Sequence, residues 1–264
     1  MSKKILITGA TSGIGLETAL ALANQGHHLL VHGRSTAKLE ALENHLTERD
    51  ATVSTYAADL SSRSGARGLA EAVRDAHEGI DVLINNAGIF EVAQPLTEEG
   101  FDVRFAVNTF APFILAAALG PLLRSEGRII NLSSAAQSPV DLAAMAGQRT
   151  LPSFEAYAQS KLALTMWSCR WGRRRGDEGP IVIAVNPGSM LGTKMVAEAF
   201  GSKGKDVGIG VRALQFAALD PAAAHRNGTY FDQDRGDFGP PHPDALDDTK
   251  CDKVIAAITA HTSA

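Results

Sequence analysis

Two residues, Tyr157 and Lys161, have the types and the spacing needed for acid–base chemistry. They lie four residues apart in a segment, 154–172, whose periodicity predicts a helix, so both side chains share one helix face. A free phenol has a pKa of about 10, and a neighbouring ammonium lowers that pKa towards neutrality. Tyr157 is therefore a candidate proton donor or acceptor, with Lys161 as the group that adjusts its pKa.

A serine pair lies upstream of Tyr157, at the end of a strand predicted over 128–132. The hydroxyl of Ser133 or Ser134 could donate a hydrogen bond to the oxygen of a reacting carbonyl, as in an oxyanion site. A Tyr-x-x-x-Lys pair alone occurs often by chance. The combination with a strand-ending serine pair and an upstream glycine loop is specific.

The glycine loop follows the first predicted strand, 5–8, and leads directly into a helix predicted over 16–25. Its glycines allow a tight turn and a close approach of the backbone to a pyrophosphate, and the helix N-terminus offers N–H groups to the phosphates. This pattern predicts a dinucleotide site formed by Gly9, Thr11, Ser12, Gly13, Ile14 and Gly15.

The residues after the second predicted strand, 29–32, indicate which dinucleotide binds. An acidic residue commonly accepts hydrogen bonds from the ribose 2′-hydroxyl of NAD at this place. This chain has Gly33 followed by Arg34, and a guanidinium can make paired hydrogen bonds to a 2′-phosphate. We therefore expect NADP(H) to be preferred, with NAD(H) as the alternative.

Short aliphatic runs alternate with longer helical segments along the chain, which predicts βαβ units. The expected fold class is α/β: a single-domain Rossmann-type doubly wound parallel sheet of about seven strands with helices on both faces. No linker or change of composition divides residues 1–264. The further strands are predicted at 52–57, 81–84, 181–185 and 229–231, and the further helices after Ser35 and at 65–77, 98–123 and 207–219.

Two segments fit this alternation poorly. Residues 135–154 are too long for a simple connection between a strand and a helix, and long connections are often functional. The tail, 232–264, begins with Asp, Gly and Pro-rich sequence and ends in a short amphipathic run. We expect this tail to pack on or near the substrate side of the domain.

Composition excludes several classes of protein. The net charge of −4 offers no basic surface for nucleic acid, and no apolar run approaches the length of a membrane span. The first residues lead directly into a strand, which leaves no room for a signal peptide. The two cysteines and eight histidines show no metal-ligand spacing. We expect a cytoplasmic protein without a metal site, a nucleic-acid partner or a membrane span.

The order of these motifs resembles that of the short-chain dehydrogenase/reductase family, and within it the retinol-dehydrogenase-like members. The glycine loop has the family's spacing, Thr8-Gly-x-x-x-Gly-x-Gly15, and the resemblance covers nearly the whole chain. Each motif is common alone, but all of them in order are specific. The other family motifs are Asp59-Leu60, Asn85-Asn86-Ala87-Gly88, Asn108, Ser134, Tyr157 with Lys161, and Pro187-Gly188.

The resemblance implies an oxidoreductase that moves hydride between NADP(H) and a carbonyl or alcohol. Tyr157 would protonate the developing alkoxide while Ser134, the second serine of its pair, holds the carbonyl oxygen. Lys161 would also bind the nicotinamide ribose, and Asn108 would hold a water that relays protons to Lys161. The further cofactor contacts that the resemblance implies are Asp59, Leu60, Asn86, Ala87 and Gly88 around the adenosine, and Pro187, Gly188, Ser189 and Thr193 near the carboxamide and phosphates.

Two details depart from the family pattern. Tyr157 follows Ser134 by 23 residues, more than in many members, and we interpret the excess as a longer loop over the site. Thr193 lies one residue later than expected after Pro187-Gly188, so Ser189 stays an alternative contact to the cofactor.

Segments 135–154 and 190–200 are expected around the nicotinamide and contain few charges. A pocket lined in this way favours apolar compounds with one polar group, which predicts a hydrophobic aldehyde or ketone as the substrate. Each apolar residue has the alternative of packing into the core. The residues concerned are Val140, Leu142, Met145, Leu151, Phe154, Met190, Leu191, Met195, Val196 and Phe200.

Two other functions are consistent with parts of the sequence. A redox sensor that binds a dinucleotide without turnover needs the glycine loop, but none of Ser134, Tyr157 and Lys161. An epimerase or dehydratase of the extended family usually has Thr-Gly-x-x-Gly-x-x-Gly at the loop and a larger C-terminal region, and this sequence shows neither feature. The resemblance also implies a homodimer or homotetramer that forms through the helices 98–123 and 154–172.

Overall fold

A twisted sheet forms the centre of the computed structural model, which describes residues 2–176 and 178–263. Within these residues eight strands pair in the order β3-β2-β1-β4-β5-β6-β7-β8. The pairs from β3 to β7 are parallel, and β8 is antiparallel to β7. The strands are β1 Lys4–Ile7, β2 His28–Gly33, β3 Val53–Ala57, β4 Ile80–Asn85, β5 Leu123–Leu132, β6 Ile181–Asn186, β7 Thr229–Asp232 and β8 Asp237–Gly239.

Helices cover both faces of this sheet, as the strand order of a doubly wound fold requires. The expected fold class is therefore confirmed. The helices are α1 Gly13–Ala23, α2 Thr36–Thr47, α3 Arg63–Ala76, α4 Val103–Phe105, α5 Ala111–Leu119, α6 Leu142–Met145, α7 Ser153–Arg175, α8 Lys194–Phe200, α9 Gly208–Leu219 and α10 Asp248–Thr262.

The first strand shows why the aliphatic runs are continuous and not alternating. Ile5 and Ile7 are fully buried in a hydrophobic cluster with α1, α2 and α9, whereas Leu6 is fully buried in a second cluster with α3, α5 and α7. Successive side chains of a strand point to opposite faces of the sheet, so helices on both faces require apolar residues at every position.

The helix predicted over 98–123 begins later and is less regular than its periodicity indicated. Gly100, at φ +83°, turns the chain, and the Asp102 carboxylate caps the first turn by accepting a hydrogen bond from the Arg104 amide at 2.9 Å. A π-helical turn, Ala106–Phe110, separates α4 from α5, and a 3-10 turn, Gly120–Leu122, ends the segment. The π-turn contains Asn108, in keeping with the frequent occurrence of such turns at functional sites.

The same segment is longer and more apolar than the sequence analysis expected of any segment. Val103–Leu122 is long and apolar enough to cross a membrane, by length and composition alone, but 72% of it is buried inside the fold. The core helices of soluble proteins can be equally long and apolar. The expected lack of a membrane span stays a prediction.

The connection over 135–154 is folded and not an open loop. It contains α6, whose cap Asp141 accepts hydrogen bonds from the amides of Ala143 and Ala144 at 2.9 and 3.2 Å. The Gln159 side chain accepts a hydrogen bond from the Asp141 amide at 2.9 Å, which joins this connection to α7.

The tail adds two elements. β8, which the sequence analysis did not predict, returns antiparallel to β7 after a tight turn in which Gly236 has φ +75°. The amphipathic run becomes α10, which packs on α7 and buries Cys251, Val254 and Ile258. The turn before β8 lies beside the connection after β6, whereas α10 lies against α7.

Candidate active site

The glycine loop has the backbone needed to bind phosphates. Gly9 and Gly13 have φ +66° and +56°, values that side chains disfavour. Ser12 is the N-cap of α1, but within the described chain its side chain makes no capping hydrogen bond. The first amide groups of α1 are therefore left for a ligand, and a helix N-terminus with unpaired N–H groups suits a pyrophosphate.

Asn86 fixes this loop from the neighbouring strand. Its Nδ2 donates hydrogen bonds to the carbonyls of Thr8 at 2.8 Å and Gly9 at 3.1 Å. A Cβ on Gly15 would lie 2.3 Å from the same nitrogen, so this position requires glycine. The Ala87 amide donates to the Thr8 hydroxyl at 3.0 Å. In the structure the Asn86 side chain thus binds the loop itself. The resemblance implies in addition that Asn86 contacts the cofactor.

His32, a residue that the sequence analysis did not select, holds the loop from the other side. Its Nδ1 accepts a hydrogen bond from the Gly9 amide at 3.3 Å, and its Nε2 lies 3.1 Å from the Ala58 carbonyl. These partners place the proton on Nε2. Burial lowers the pKa of His32 to about 4, so the ring is neutral at physiological pH and the contact with Gly9 persists.

The end of β2 presents an exposed guanidinium and no carboxylate. Arg34 is exposed, and a Cβ on Gly33 would lie 2.5 Å from Cγ2 of Thr11. A carboxylate at position 33 would therefore have to displace Thr11, whereas the guanidinium next to it is accessible. At the end of β3, Asp59 is exposed and accepts a hydrogen bond from the Ser61 amide at 2.9 Å, and Leu60 is buried.

The two serines after β5 occupy different environments. Ser134 hydrogen-bonds with the Tyr157 hydroxyl, whereas Ser133 is buried and lies 2.6 Å from the hydroxyl of Thr165. The geometry favours Ser134 as the serine that acts with Tyr157. Two further residues hold its backbone, because the Ser134 carbonyl accepts hydrogen bonds from the Tyr230 hydroxyl at 3.2 Å and from Nε2 of Gln137 at 2.8 Å.

Lys161 lies beneath Tyr157 on the same face of α7. Its Nζ is 5.8 Å from the centre of the Tyr157 ring and donates a hydrogen bond to the Leu132 carbonyl at 2.7 Å. A Cβ on Gly88 would lie 3.4 Å from this nitrogen and 3.4 Å from Oδ1 of Asn108. Glycine at this position therefore lets the backbone approach the side chains of Lys161 and Asn108 closely.

The Asn108 side chain ties the π-turn to the strand end and to α7. Its Oδ1 accepts a hydrogen bond from the Ile89 amide at 2.9 Å, and its Nδ2 donates to the Ile89 carbonyl at 3.0 Å. The same Nδ2 donates to the hydroxyl of Ser160, the residue before Lys161, at 3.0 Å. Asn108 thus lies beside Lys161, where the resemblance implies its role with water.

The ionisation of the pair differs from the expectation based on spacing. Burial raises the pKa of Tyr157, and the hydrogen bond with Ser134 offsets part of that effect. Burial also lowers the pKa of Lys161, to about 7. Spacing indicated an ammonium that lowers the pKa of the phenol, but desolvation of both groups is the larger effect here. Extra negative charge near Lys161 would favour its protonated form.

The connection after β6 separates the roles of Ser189 and Thr193. The Ser189 hydroxyl and amide donate hydrogen bonds to the Asp234 carboxylate, at 2.5 and 2.9 Å. Thr193 caps α8 by accepting a hydrogen bond from the Val196 amide at 3.3 Å, and its Cγ2 lies 3.6 Å from the Cβ position of Gly13. Thr193 is thus the nearer of the two to the glycine loop. Pro187 is buried, and Gly188 has φ +114°.

An open cleft of about 650 Å³ lies between α1 and α9 and is lined in part by Gly13 and Thr193. At Gly13 this cleft reaches the first residue of α1. Ile14, the other predicted loop residue, is half-buried and packs on the hydrophobic cluster under α1. The residues at this edge of the sheet therefore fit a dinucleotide. The glycine loop suits the pyrophosphate. Along the same edge, Arg34 follows β2, and Nζ of Lys161 binds the carbonyl of the last residue of β5.

The predicted substrate walls divide into three groups. Four are half-buried, two of them against the core: Val140, Leu151, Met195 and Val196. Met145 and Leu191 are buried at 0% and 3% exposure and pack into the core, so neither forms a pocket wall. Leu142, Phe154, Met190 and Phe200 are exposed. The rings of Phe154 and Phe200 lie against Phe90, beside the reacting groups. The sequence analysis missed Phe90, a buried ring whose centre lies 4.9 Å from that of Tyr157.

Among the residues that the structure describes, no group of three or more His, Cys, Asp or Glu side chains is placed to hold a metal ion. Both cysteines are buried free thiols, and burial raises the pKa of Cys169 to about 12.

Comparison with known proteins places this geometry in a family. The family model for short chain dehydrogenases matches residues 3–203. Retinol dehydrogenase 13 from Homo sapiens is 35% identical over 193 residues, 70% of this chain and 58% of its own length. The chain thus spans 58% of the length of that relative. A Streptomyces sp. (strain C5) protein provisionally named daunorubicin C-13 ketoreductase is 32% identical over 243 residues, 88% of this chain and 84% of its own length.

Solved structures show the same architecture. An uncharacterized protein from Mycobacterium paratuberculosis superposes with a TM-score of 0.80 and 28% identity, over 99% of this chain and 93% of its own. A short chain dehydrogenase from Burkholderia cenocepacia J2315, in complex with NADP, gives a TM-score of 0.69 and 26% identity, over 87% of this chain and 95% of its own. With a family model that matches most of its length and with these sites in family order, the chain belongs to the short chain dehydrogenase family.

Proposed function

We propose that this protein is an oxidoreductase that transfers hydride between NADP(H) and a carbonyl or alcohol, with a hydrophobic aldehyde or ketone as its substrate. The observation that carries this proposal is the Ser134–Tyr157 hydrogen bond, with Lys161 buried beneath it at the edge of the sheet where the glycine loop ends. A redox sensor would need the loop but not these three side chains.

Each residue has a distinct part in the proposed reaction. The nicotinamide ring supplies hydride in reduction and accepts it in oxidation. Ser134 holds the carbonyl oxygen by a hydrogen bond, and Tyr157 gives that oxygen a proton as it becomes an alkoxide. Lys161 binds the nicotinamide ribose and passes a proton to Tyr157, while Asn108 positions a water beside Lys161.

A preference for NADP(H) over NAD(H) is supported by Gly33 and Arg34 at the end of β2. Arg34 is accessible to a 2′-phosphate, and a side chain at position 33 would collide with Thr11. The Burkholderia cenocepacia structure holds NADP.

A hydrophobic substrate is supported by the exposed apolar side chains beside the reacting groups, Phe154 and Phe200. Soluble proteins usually expose such groups where they bind a ligand or a partner. Two relatives carry names of enzymes that act on retinol and on daunorubicin.

Two expectations about the whole protein stay predictions: a cytoplasmic location and a homodimer or homotetramer. The resemblance implies a subunit contact through the segments 98–123 and 154–172. In this structure α10 packs on α7 and covers part of that surface. An oligomer that keeps α10 in place would use other surfaces of the domain.

The test of the proposed function replaces Tyr157 by Phe, which keeps the ring and removes the hydroxyl. We expect the parent to oxidise NADPH in the presence of hydrophobic aldehydes, and Tyr157→Phe to lower kcat about 10²- to 10⁴-fold, since it loses general acid catalysis. NADPH binding and the melting temperature stay near those of the parent.

Tyr56→Phe is the matched control, because it removes a hydroxyl that lies 2.8 Å from Nε2 of His77, away from the site. The measurements are the loss of NADPH absorbance and the fluorescence of bound NADPH. Near-parental turnover in Tyr157→Phe would assign the proton transfer to another group. NADPH binding without turnover on any carbonyl would favour the sensor.

A further inference from the structure

Phe90 is a fixed ring next to the reacting groups. It is only 6% exposed, and its carbonyl accepts a hydrogen bond from Nη1 of Arg104 at 3.3 Å. Arg104 is itself buried and paired with the Asp102 carboxylate at 2.8 Å. The residue before Phe90 is held by two hydrogen bonds to Asn108. The backbone that carries this ring therefore cannot move away from Tyr157 without breaking a buried network.

Phe200 is a second ring, placed nearly parallel to the first but exposed on its outer side. Its plane makes an angle of 18° with that of Phe90, and the ring centres lie 5.8 Å apart. Phe200 is 53% exposed and ends α8, a helix in which no described residue is buried. Gly201 follows at φ +62°, so the chain turns directly after the ring. One ring of the pair is therefore buried in the fold, and the other lies on an exposed helix.

A third ring, Phe154, has similar exposure but a different geometry. It is 56% exposed and approaches Phe90 edge-on, at 80° with ring centres 6.2 Å apart. Phe154 thus adds apolar surface beside Phe90 without presenting a parallel face. The comparison between Phe200 and Phe154 separates the effect of stacking from that of general hydrophobicity.

We propose that Phe90 and Phe200 form an aromatic clamp that determines specificity, and that it selects carbonyl substrates in which a flat, conjugated ring is attached to the carbonyl carbon. This inference rests on the proposed function. Phe90 touches Tyr157, so a ring held against Phe90 places a directly attached carbonyl near the Tyr157 and Ser134 hydroxyls. The substrate ring enters between the two phenyl rings, and Phe200 moves outward to admit it.

Flat rings gain more from this clamp than saturated rings of the same size. Stacked aromatic pairs are stabilised beyond the apolar area that they bury, because their quadrupoles favour offset parallel contact. A puckered saturated ring has the same carbon skeleton but cannot lie flat between two parallel faces. The clamp therefore discriminates by shape and electronic structure, while the apolar rim accepts both kinds of molecule.

The experiment measures kcat/KM for 2-naphthaldehyde and for decahydronaphthalene-2-carbaldehyde, with saturating NADPH. The ratio of the two values is then compared between the parent, Phe200→Leu, Phe200→Trp and Phe154→Leu. Comparing ratios between proteins removes the difference in intrinsic reactivity of the two aldehydes. Phe200 and Phe154 are both exposed, so these variants are expected to fold like the parent.

We expect Phe200→Leu to lower the ratio about two- to tenfold, the range that corresponds to one aromatic stacking contact. Phe200→Trp keeps a flat face, so its ratio stays near that of the parent. Phe154→Leu also keeps the ratio within about twofold of the parental value. Equal ratios in the parent and in Phe200→Leu would overturn the clamp while leaving the proposed function intact. An equal loss in Phe154→Leu would also overturn it, because the preference would then come from aromatic contact at the rim in general and not from stacking against Phe200. No turnover of either aldehyde by the parent would contradict the proposed function itself.

Discussion

Arg34 lies at the accessible end of β2, and its proposed contact with the 2′-phosphate can be measured directly. We expect Arg34→Ala to weaken NADPH binding about ten- to a hundredfold, since a charge-assisted hydrogen bond contributes about 1.5–3 kcal/mol. The dissociation constant for NADH should stay unchanged, because NADH lacks the phosphate. Fluorescence titration gives both constants.

Arg49→Ala is the control for a general loss of charge, since Arg49 lies beyond the far end of α2 and its guanidinium donates a hydrogen bond to the His45 carbonyl. Equal affinities of the parent for NADPH and NADH would contradict the preference for the phosphorylated cofactor.

Lys161 makes cofactor binding depend on pH. Its pKa is lowered to about 7 by burial, so the free protein loses the ammonium as the pH rises through that value. An anionic cofactor favours the protonated form, and binding then takes up a proton. We therefore expect the dissociation constant for NADPH to rise with pH above about 7, by at most tenfold per pH unit.

Lys161→Met provides the comparison, because it keeps much of the apolar stem and cannot titrate. Its NADPH affinity should be weaker and independent of pH between about 7 and 9, above the pKa of a phosphate monoester. His32 does not contribute in this range, since its pKa is about 4. A parental affinity that stays constant over the same range would show that Lys161 keeps its proton.

Residue types and spacing predicted Tyr157, Lys161 and the serine pair because those residues lie at fixed points of strands and helices. The family resemblance selected Ser134 from that pair. The same reasoning could not predict the protonation of Tyr157, since burial depends on the packing of distant segments. Phe90 and Phe200 are 110 residues apart in the sequence, and only the fold brings their rings together. His32 had a weak signal: it is a polar residue directly after the aliphatic run Leu29-Leu30-Val31.

At the scale of elements, α10 shows how much a terminal helix contributes to the core. Ile258 is fully buried in the hydrophobic cluster that also contains Phe110 and Trp167. We expect Ile258→Ala to lower the free energy of unfolding by about 2–5 kcal/mol, because it removes buried methylene groups and leaves a cavity. Urea denaturation followed by circular dichroism measures this change.

The neighbouring Thr259→Ala serves as the control, since Thr259 is exposed on the same helix. We expect it to change stability by less than about 0.5 kcal/mol. A loss in Ile258→Ala no larger than that of the control would mean that α10 detaches readily from the domain.

The differences between the predicted and the observed elements have a common physical cause. Periodicity predicted one helix over 98–123, but Gly100 and the Asp102 cap delay its start, and the π-turn changes its register. β8 is only three residues long and contains Asp and Gly, so it lacks the pattern of a strand. Short elements are stabilised by their neighbours, and local sequence carries little of that information.

At the scale of the whole molecule, the doubly wound architecture was predictable because every strand between β1 and β6 is followed by a helix of its own. The homodimer or homotetramer is a different matter. Met166 and Trp167, on the helix expected in the contact, are 2% and 0% exposed and pack into the core. Arg170 on the same helix pairs with Asp252 of α10 at 2.8 Å. A contact through this side of α7 would therefore compete with α10.

The position of α10 also bears on how the protein is made. Cys251, Val254 and Ile258 complete a hydrophobic cluster that includes Leu6 and Leu83 of the central strands. A ribosome delivers these residues last among the members of that cluster, at about 5–20 residues per second. One face of the nascent sheet therefore keeps apolar surface open to water, and to chaperones, until residue 258 has left the exit tunnel. Native packing of that face is thus completed after the glycine loop and the segments with Ser134, Tyr157 and Lys161 have already been synthesised.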